Sequence, residues 1–236
     1  MLKVSFVIPS FNSAAWLPHA VKSVLAQTHK EIECVIVDDG SQDTTRYYLS
    51  YLEDLKDPRI VVVRNAANLG RSVSRNIGNR TATGAVICVL DADDLAYPER
   101  ARLTAKAVEK GADFVHGSAR VIDATGLDLG LIGTDVFNKD KAIESLTNRI
   151  VHSTVAYTKD IATMYPYPLG ALSDLGLDDW AQQLAIALGG AKTAHIPHVL
   201  AAYRQLNTGI TKTRDEEAVK TAKMAHLASL GVSHAV

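Results

Sequence analysis

The chain has 236 residues, of which 47% are hydrophobic and 22% are charged, close to the proportions of an average soluble globular protein. This composition excludes disordered, collagen-like and low-complexity chains. The 25 Lys and Arg residues nearly balance the 26 Asp and Glu residues, which leaves a formal net charge of −1. Nothing in this balance indicates a nucleic-acid partner or attraction to an acidic membrane.

Two features of the sequence concern where the protein works. Cys34 and Cys88 both lie in apolar runs, where thiols usually pack as small hydrophobic side chains, and this fits a reducing cytosol. The chain opens directly into a strand-like segment without the sections of a signal peptide. Its longest apolar runs are far shorter than the roughly 18 residues of a membrane helix. We therefore expect a soluble cytoplasmic protein with no transmembrane segment.

The first half of the chain alternates short apolar runs with helical patterns. Continuous apolar strands separated by helices of about ten residues indicate βαβ units and a mostly parallel sheet covered by helices on both faces. The fold class is therefore α/β. The predicted strands are 4–8, 32–37, 59–64 and 85–90; the predicted helices begin near Trp16, cover 45–55 and 71–80, and begin again at Pro98.

The second half is less regular, and we see no linker that would separate it as another domain. We interpret the chain as one domain, 1–236, with a first half over 1–117 and a second half over 118–236. The predicted elements of the second half are a hairpin at 120–133, a helix at 138–149, an extended segment at 153–157, a Pro- and Gly-rich loop at 164–176, a helix from about Asp178, a strand at 193–204 and a final helix at 214–230.

Polar or glycine-rich residues follow each of the first four predicted strands. The carboxyl ends of parallel strands are where open α/β sheets bind their ligands. Several acidic or amide clusters at one sheet edge are hard to attribute to folding alone, so we expect a ligand site there. The four segments are 9–12, 38–41, 65–70 and 91–94.

The acidic segment after the fourth strand is the most informative of these. In an extended segment, Asp91 and Asp93 point the same way while Asp94 points elsewhere. Two carboxylates on one side suit Mg²⁺ or Mn²⁺, which often bridge substrate phosphates. The alternative is that these residues only begin the helix at Pro98, but close packing of three carboxylates makes that interpretation less attractive.

The segments after the second and third strands have more than one interpretation. Asp38 or Asp39 could cap the following helix, and a carboxylate at a strand end could equally accept a hydrogen bond from a ribose or a base. Arg71 and Arg75 share a helix face that could meet a diphosphate or only solvent. The sequence has no glycine-rich phosphate-binding motif, so we expect a divalent ion to bind the phosphates instead.

Asp178 and Asp179 form an acidic pair at the start of a predicted helix. Acidic residues are favoured there by capping and by the helix dipole, yet two adjacent carboxylates exceed what one cap needs. One of them could act as a general base for an acceptor hydroxyl.

Five segments together resemble the family 2 glycosyltransferases of GT-A fold. They are VSFVIPSFN, VIVDDGSQDTT, NLGRSVSRNIG, LDADD and LDDWAQQL, in this order and spacing. The resemblance covers roughly residues 3–210 and implies an inverting transfer of a sugar from a nucleotide-sugar, usually a UDP-sugar, with Mn²⁺ or Mg²⁺ on the diphosphate.

The resemblance also implies roles for residues near the nucleotide. Pro9, Phe11 and Asn12 would border the nucleotide in the loop after the first strand. Asp39 would bind the uracil or the ribose, with Asp38 beside it.

Further roles are implied around the diphosphate and the acceptor. Arg75 would lie near the base and the diphosphate. Asp91 and Asp93 would form the D-x-D pair that holds the metal. Asp179 would be the catalytic base, with Asp178 in the preceding acidic position.

One departure from the family pattern concerns the C-terminal end. Many relatives carry YRxH there, whose His approaches the metal or the diphosphate, whereas Leu206 takes that position here. Asn207 or Thr208 would compensate, or the substrate would hold more of the metal. The chain also lacks the Q-x-x-R-W motif of processive synthases, so we expect transfer of one sugar per encounter.

Two rival functions and several details remain open from the sequence. A nucleotidyltransferase making NDP-sugars could share the metal aspartates, although its glycine-rich loop is missing after the first strand, and a non-catalytic nucleotide-sugar-binding module would explain Leu206.

The acceptor could be a glycan, a lipid carrier or another hydroxyl. Tyr165, Tyr167 and Trp180 could stack on a sugar or simply pack. The 214–230 helix could form a homodimer or cover the sheet.

Overall fold

The computed structural model describes residues 1–147, 150–206 and 215–232. Within these ranges the helices are α1 Leu17–Leu25, α2 Thr45–Asp54, α3 Arg71–Thr81, α4 Arg100–Glu109, α5 Lys139–Glu144, α6 Lys159–Met164, α7 Ala171–Asp174, α8 Asp178–Leu188 and α9 Glu216–Ser229. The strands are β1 Val4–Ser10, β2 Ile32–Asp38, β3 Ile60–Arg64, β4 Val86–Val89, β5 Leu95–Ala96, β6 Phe114–Ile122, β7 Asp128–Ile132, β8 Ala156–Thr158 and β9 Thr193–Arg204. Among these described helices, none is both long enough and apolar enough to cross a bilayer.

A single mixed sheet contains strands from both halves of the chain. Its order is β3-β2-β1-β4-β8-β6-β9-β5, with β7 paired to β6. The first four strands are parallel, as predicted. Strand β8 runs antiparallel to both β4 and β6, whereas β6 and β9 are parallel. The predicted hairpin at 120–133 is the antiparallel pair of β6 and β7.

The core explains why the first strands are continuously apolar. All seven residues of β2 are buried, because helices cover both faces of the parallel part of the sheet. Cys34 and Cys88 lie in this core as free thiols, which confirms the prediction of buried cysteines. Burial raises the pKa of the Cys34 thiol to about 12.

Helix α3 lies unusually close to β1. A Cβ atom added at Gly78 would lie 2.3 Å from Cγ1 of Val7, a distance that the two backbones could not accommodate without a shift. Glycine therefore permits the close approach of this helix to the sheet.

Several predicted boundaries in the middle of the chain differ from the structure. The helix expected from Pro98 begins at Arg100, because β5 and a hydrogen bond from Tyr97 N–H to the Leu200 carbonyl oxygen (3.0 Å) tie the preceding residues to β9. The helix expected at 138–149 is α5, which ends at Glu144; residues 148 and 149 lie outside the described residues.

The next segments show the same kind of difference. The extended segment expected at 153–157 is a 3₁₀ turn, His152–Thr154, followed by β8. The predicted loop at 164–176 contains the short helix α7. By contrast, α8 begins at Asp178 and β9 covers 193–204, as predicted.

The last helix covers another helix of the same chain. Leu227 of α9 is fully buried in a cluster with Trp180, Ala181 and Leu184 of α8. Trp180 is therefore a packing residue, and Tyr167 is likewise buried, with 1% of its surface exposed. The sequence left open whether these aromatic side chains stack on a ligand or pack, and the structure shows packing.

Candidate functional site

A cavity of about 1280 Å³ opens at the carboxyl ends of β1, β2 and β4, between the two halves of the chain. This is the sheet edge at which the sequence predicted a ligand site. The predicted site residues that line the cavity are Pro9, Phe11, Asn12, Asp39, Arg75, Asp91, Asp93, Asp178 and Asp179.

Asn12 connects the loops that follow β1 and β2. It has a positive φ of 48°, which asparagine tolerates better than most residues. Its Oδ1 accepts a hydrogen bond from Gln42 N–H (2.8 Å), and its own N–H donates to Ser41 Oγ (2.9 Å). Asn12 thus fixes the wall of the cavity, and Phe11 beside it is 43% exposed.

Asp39 organises the loop after β3. Its Oδ1 accepts hydrogen bonds from Asn65 Nδ2 (2.8 Å) and Leu69 N–H (2.9 Å), and its Oδ2 accepts one from Gly70 N–H (2.9 Å). Because a carboxylate oxygen can accept two hydrogen bonds, Oδ2 retains capacity for a ligand donor.

Asp38 differs from its neighbour, because it does not line the cavity. Its carboxylate accepts a hydrogen bond from Ser41 N–H (3.1 Å) and lies 4.0 Å from the Arg64 guanidinium. Its side chain holds the turn after β2 and does not cap α2, whose N-cap is Thr44. The expected place of Asp38 beside the nucleotide stays a prediction.

The acidic segment after β4 is a turn rather than an extended strand. Asp94 N–H donates to the Asp91 carbonyl oxygen (3.1 Å), so the predicted alternation of side chains does not apply. Asp91 and Asp93 nevertheless both line the cavity. Asp94 is 1% exposed and accepts a hydrogen bond from Arg204 N–H (2.7 Å). The three carboxylates thus separate into two that line the cavity and one that anchors β9.

The two cavity carboxylates have opposite electrostatic surroundings. Burial by itself would raise the pKa of Asp91, but the positive charge of Arg75 outweighs it and holds this pKa below its ordinary value. Burial and the negative charge of Asp91 raise the pKa of Asp93 to about 6. A carboxylate that is buried beside another carboxylate favours a bound cation.

A divalent hard cation fits this donor set. Asp91 and Asp93 offer carboxylate oxygens, which Mg²⁺ and Mn²⁺ prefer. Among the residues that the structure describes, no group of three or more His, Cys, Asp or Glu side chains could hold a metal ion. The chain would thus supply only part of the coordination, and a phosphate-containing ligand could supply the rest.

Arg75 joins the Asp91 turn to the start of α8. Its Nη2 donates to Asp91 Oδ1 (2.7 Å), and its Nη1 donates to Asp178 Oδ2 (2.5 Å). Arg75 and Asp178 are 5% and 1% exposed, respectively. The family resemblance implied that Arg75 lies near a diphosphate, whereas in the structure both of its terminal nitrogens donate to carboxylates. A local sequence pattern does not predict an ion pair between residues 103 positions apart.

Asp179 lines the cavity next to this ion pair. It is half-buried, and its Oδ1 accepts the hydrogen bond of Trp180 N–H (2.7 Å). The N-cap of α8 is Leu177, which makes no side-chain capping bond, and Asp178 is held by Arg75 rather than capping the helix. The acidic pair therefore does more than begin a helix.

His152 also lines the cavity. Its ring nitrogens lie 3.2 Å from Tyr167 Oη and 3.2 Å from Gln183 Nε2. Burial and the nearby charge of Arg75 lower the pKa of His152. This histidine therefore belongs to a buried polar network in the wall of the cavity.

Trp16 and Arg204 are cavity residues that the motif analysis did not single out. The Arg204 guanidinium lies 4.4 Å from the centre of the Trp16 ring, and its Nε donates to the Asp93 carbonyl oxygen (3.0 Å). Arg204 thus fixes the Asp93 turn from β9. A cation–π pair between residues so distant in sequence has no local signature.

Leu206, which takes the place of the histidine in the family pattern described above, also lines the cavity. It therefore adds an apolar side chain rather than a metal ligand. Asn207 and Thr208, the predicted substitutes, lie outside the described residues.

Sequence comparison finds similar proteins across most of the chain. The profile described as "Glycosyl transferase family 2" matches residues 5–158. The putative teichuronic acid biosynthesis glycosyltransferase TuaG of Bacillus subtilis is 30% identical over 226 residues, covering 92% of this chain and 85% of TuaG. An uncharacterized glycosyltransferase of Nostoc is 35% identical over 130 residues, and the match spans 40% of its length. In three Rickettsia relatives the match spans 19–22% of the length.

Solved structures show the same fold at low sequence identity. TarS 1–349 of S. aureus in complex with UDP-GlcNAc gives a TM-score of 0.76 at 16% identity, covering 98% of this chain and 68% of that one. The mannosyltransferase PcManGT of Pyrobaculum calidifontis, in complex with GDP-Man and Mn²⁺, gives a TM-score of 0.69 at 17% identity, covering all of this chain and 66% of that one.

Proposed function

The chain belongs to glycosyl transferase family 2, and from this membership we propose that it is a hexosyltransferase that moves a sugar from a UDP-sugar to an acceptor hydroxyl with inversion. Its fold is of the GT-A type. One observation carries the proposal: a single cavity contains the carboxylate pair Asp91 and Asp93 and, on the opposite half of the chain, Asp179.

The donor would lie along the carboxyl ends of the parallel strands. Asp39 Oδ2 would accept a hydrogen bond from the base or the ribose. Asp91 and Asp93 would hold Mn²⁺ or Mg²⁺ on the diphosphate, and this ion would offset the negative charge of the leaving group. The ligands of the structural relatives, UDP-GlcNAc for TarS and GDP-Man with Mn²⁺ for PcManGT, support a nucleotide-sugar donor.

Asp179 would act as the general base. The Trp180 N–H occupies its Oδ1 and leaves Oδ2 for the proton of the acceptor hydroxyl. The acceptor oxygen then forms a bond to the anomeric carbon while the bond from that carbon to the diphosphate oxygen breaks, and the electron pair leaves with the diphosphate. A single displacement of this kind inverts the anomeric carbon and needs no enzyme nucleophile.

The family membership does not support the rival function of a nucleotidyltransferase, because the matching family model and TuaG are both described as glycosyltransferases. A cytoplasmic location and a homodimer stay predictions.

A thermal-shift screen tests the proposed function. The intact chain is heated with UDP, GDP, CDP, ADP or dTDP, each with and without Mn²⁺. A ligand at a hundred times its Kd stabilises the folded state by about 2.7 kcal/mol, so we expect UDP with Mn²⁺ to raise the unfolding midpoint. A shift with another nucleotide would correct the donor class. Absence of any shift would contradict the assignment of this cavity to a nucleotide-sugar.

A further inference from the structure

One polar face of α3 holds the loop that leads to α8. Ser72 Oγ donates to Ser173 Oγ (2.7 Å). Asn76 exchanges two hydrogen bonds with the Tyr167 backbone, from its Nδ2 to the carbonyl oxygen (2.9 Å) and from Tyr167 N–H to its Oδ1 (2.8 Å). These positions recur at the three- to four-residue spacing of one helix face. Contact with α3 therefore positions the segment that precedes Asp179.

Arg75 lies at the centre of this face. Within the described part of the chain, its ion pairs are with Asp91 and Asp178. Arg71, one turn earlier, adds an ion pair from its Nε to Asp178 Oδ1 (3.2 Å). Asp178 is thus clamped through both oxygens, whereas Asp91 gives only Oδ1 to Arg75.

The guanidinium geometry suits a bridge between the two carboxylates. Its planar fork donates in fixed directions, which the compact ammonium of lysine cannot reproduce. Because Arg75 and Asp178 are buried, removing one of them leaves the other without its partner in the interior and changes its interaction with Asp91. A second cation bound to Asp91 would neutralise part of its negative charge. The attraction between Arg75 and Asp91 would then weaken, and Arg75 would interact more strongly with Asp178.

We propose that Arg75 is a positioning residue that couples the donor side of the cavity, at Asp91, to the first turn of α8, which carries Asp179. The proposal rests on the proposed function. Binding of a nucleotide and its metal at Asp91 strengthens the hold of Arg75 on Asp178 and so fixes Asp179 for the acceptor. By reciprocity, a change at Asp178 alters binding at Asp91.

The test uses Asp178→Asn and Arg75→Lys in the intact chain. Calorimetry measures the Kd of UDP in the presence of Mn²⁺, and the Kd of Mn²⁺ alone. In Asp178→Asn, Arg75 turns wholly to Asp91 and competes with the metal, so we expect both Kd values to rise about tenfold, within the range of couplings between contacting residues. Arg75→Lys keeps the charge but loses the bridge, so we expect the kcat for transfer to fall about tenfold or more.

Asp160→Asn is the matched control for the lost negative charge. Asp160 is exposed in the first turn of α6 and does not line the cavity. Within the described part of the chain, Arg71 and Arg75 form their ion pairs with other residues. We expect the effect of Asp160→Asn on either Kd to be less than twofold.

The outcomes separate the two proposals. If the Kd values of UDP and Mn²⁺ are the same in Asp178→Asn as in the wild type, the coupling alone is overturned. Losses of affinity of equal size in Asp178→Asn and Asp160→Asn would overturn it too. A wild-type chain that binds neither Mn²⁺ nor any nucleotide would overturn the proposed function together with the coupling. If Asp178→Asn does not fold, Arg75→Lys decides the question: an unchanged kcat overturns the bridge. A purely structural role would lower the unfolding midpoint without changing Kd.

Discussion

Asp178 and Asp179 are adjacent in sequence but have opposite surroundings. Asp178 is almost fully buried between two arginines, whereas Asp179 is half-buried and lines the cavity. Because arginines occupy both oxygens of Asp178, while the Oδ2 atom of Asp179 has no such partner in the described contacts, we propose Asp179 as the base.

We therefore expect Asp179→Asn to lower kcat for sugar transfer by about 10²–10⁴-fold, the usual contribution of a general base. The Kd of UDP with Mn²⁺ should stay within about twofold of wild type, because Asp179 is assigned to the acceptor and not to the donor. Steady-state kinetics and calorimetry measure the two quantities. Equal transfer rates in the variant and the wild type would refute the base assignment, and Asp160→Asn, an exposed change on α6, serves as control.

Glu33 is a buried carboxylate far from the chemistry. It is 4% exposed, and its oxygens accept hydrogen bonds from Ser5 Oγ (2.7 Å), Thr83 N–H (2.8 Å) and Lys3 Nζ (3.1 Å). Burial alone would raise the pKa of Glu33, but these hydrogen bonds outweigh it and hold the pKa below its ordinary value of 4.5. The ionised side chain therefore ties β2 to β1 and to the turn before β4.

A lowered pKa in the folded state means that Glu33 stabilises the fold above its unfolded pKa and loses this contribution as the pH falls through its folded pKa. Glu33→Gln should lower the free energy of unfolding by about 2 kcal/mol at pH 7. The difference from wild type should shrink steadily below about pH 4.5, in urea unfolding followed by circular dichroism. Glu31→Gln, an exposed change two residues earlier, should alter stability by less than about 0.5 kcal/mol. A difference that grows in acid would contradict the sign.

At the scale of elements, α3 has two functional faces. Its polar face holds the segment before α8, and on another face Gly78 lies against Val7 of β1. Ala is favoured over Gly in a helix by about 1 kcal/mol. At this position the gain competes with a clash against a core residue that is 1% exposed.

We expect the clash to dominate, so that Gly78→Ala lowers the free energy of unfolding by about 1–3 kcal/mol. Chemical denaturation measures this change. In a Val7→Ala background, which removes the contacting Cγ1, the same substitution should cost less or become stabilising. A stabilising Gly78→Ala in the wild-type background would show that α3 can move away from the sheet without loss.

The helices and strands also show which parts of the fold local sequence patterns can predict. Helix α8 and strand β9 were predictable from the sequence because their periodicity is complete within the segment. The 3₁₀ turn His152–Thr154 was not, since contacts with β4, β6 and β9 determine it. Asp91 and Asp93 line the cavity, although they lie in a turn and not in the extended segment from which their direction was predicted. The Arg75 bridge and the pair of Trp16 and Arg204 depend on distant partners, which no local pattern contains.

At the scale of the whole molecule, the two halves share one sheet. Strands β4 and β8 pair across the boundary, and the cavity lies between the halves. The two tryptophans of the chain report on the two sides: Trp16 precedes α1, and Trp180 lies in α8.

Because the sheet is continuous, we expect both halves to unfold in one transition. Tryptophan fluorescence of Trp16→Phe reports only Trp180, and that of Trp180→Phe reports only Trp16. In each variant, the fluorescence midpoint in urea should coincide with the midpoint of far-ultraviolet circular dichroism. Midpoints that differ within one variant would show that the halves are separately cooperative.

The burial of both cysteines has a practical consequence for spectroscopy. Cys34 and Cys88 are the chain's two cysteines, both are buried, and burial raises the pKa of both thiols. Because thiolates are the reactive form, alkylating reagents should leave the native protein unmodified. A cysteine introduced at an exposed position such as Asp174 would then be the single labelling point for a spin probe or a fluorophore. Movements of the segment before α8 could be followed in solution without removing either native thiol.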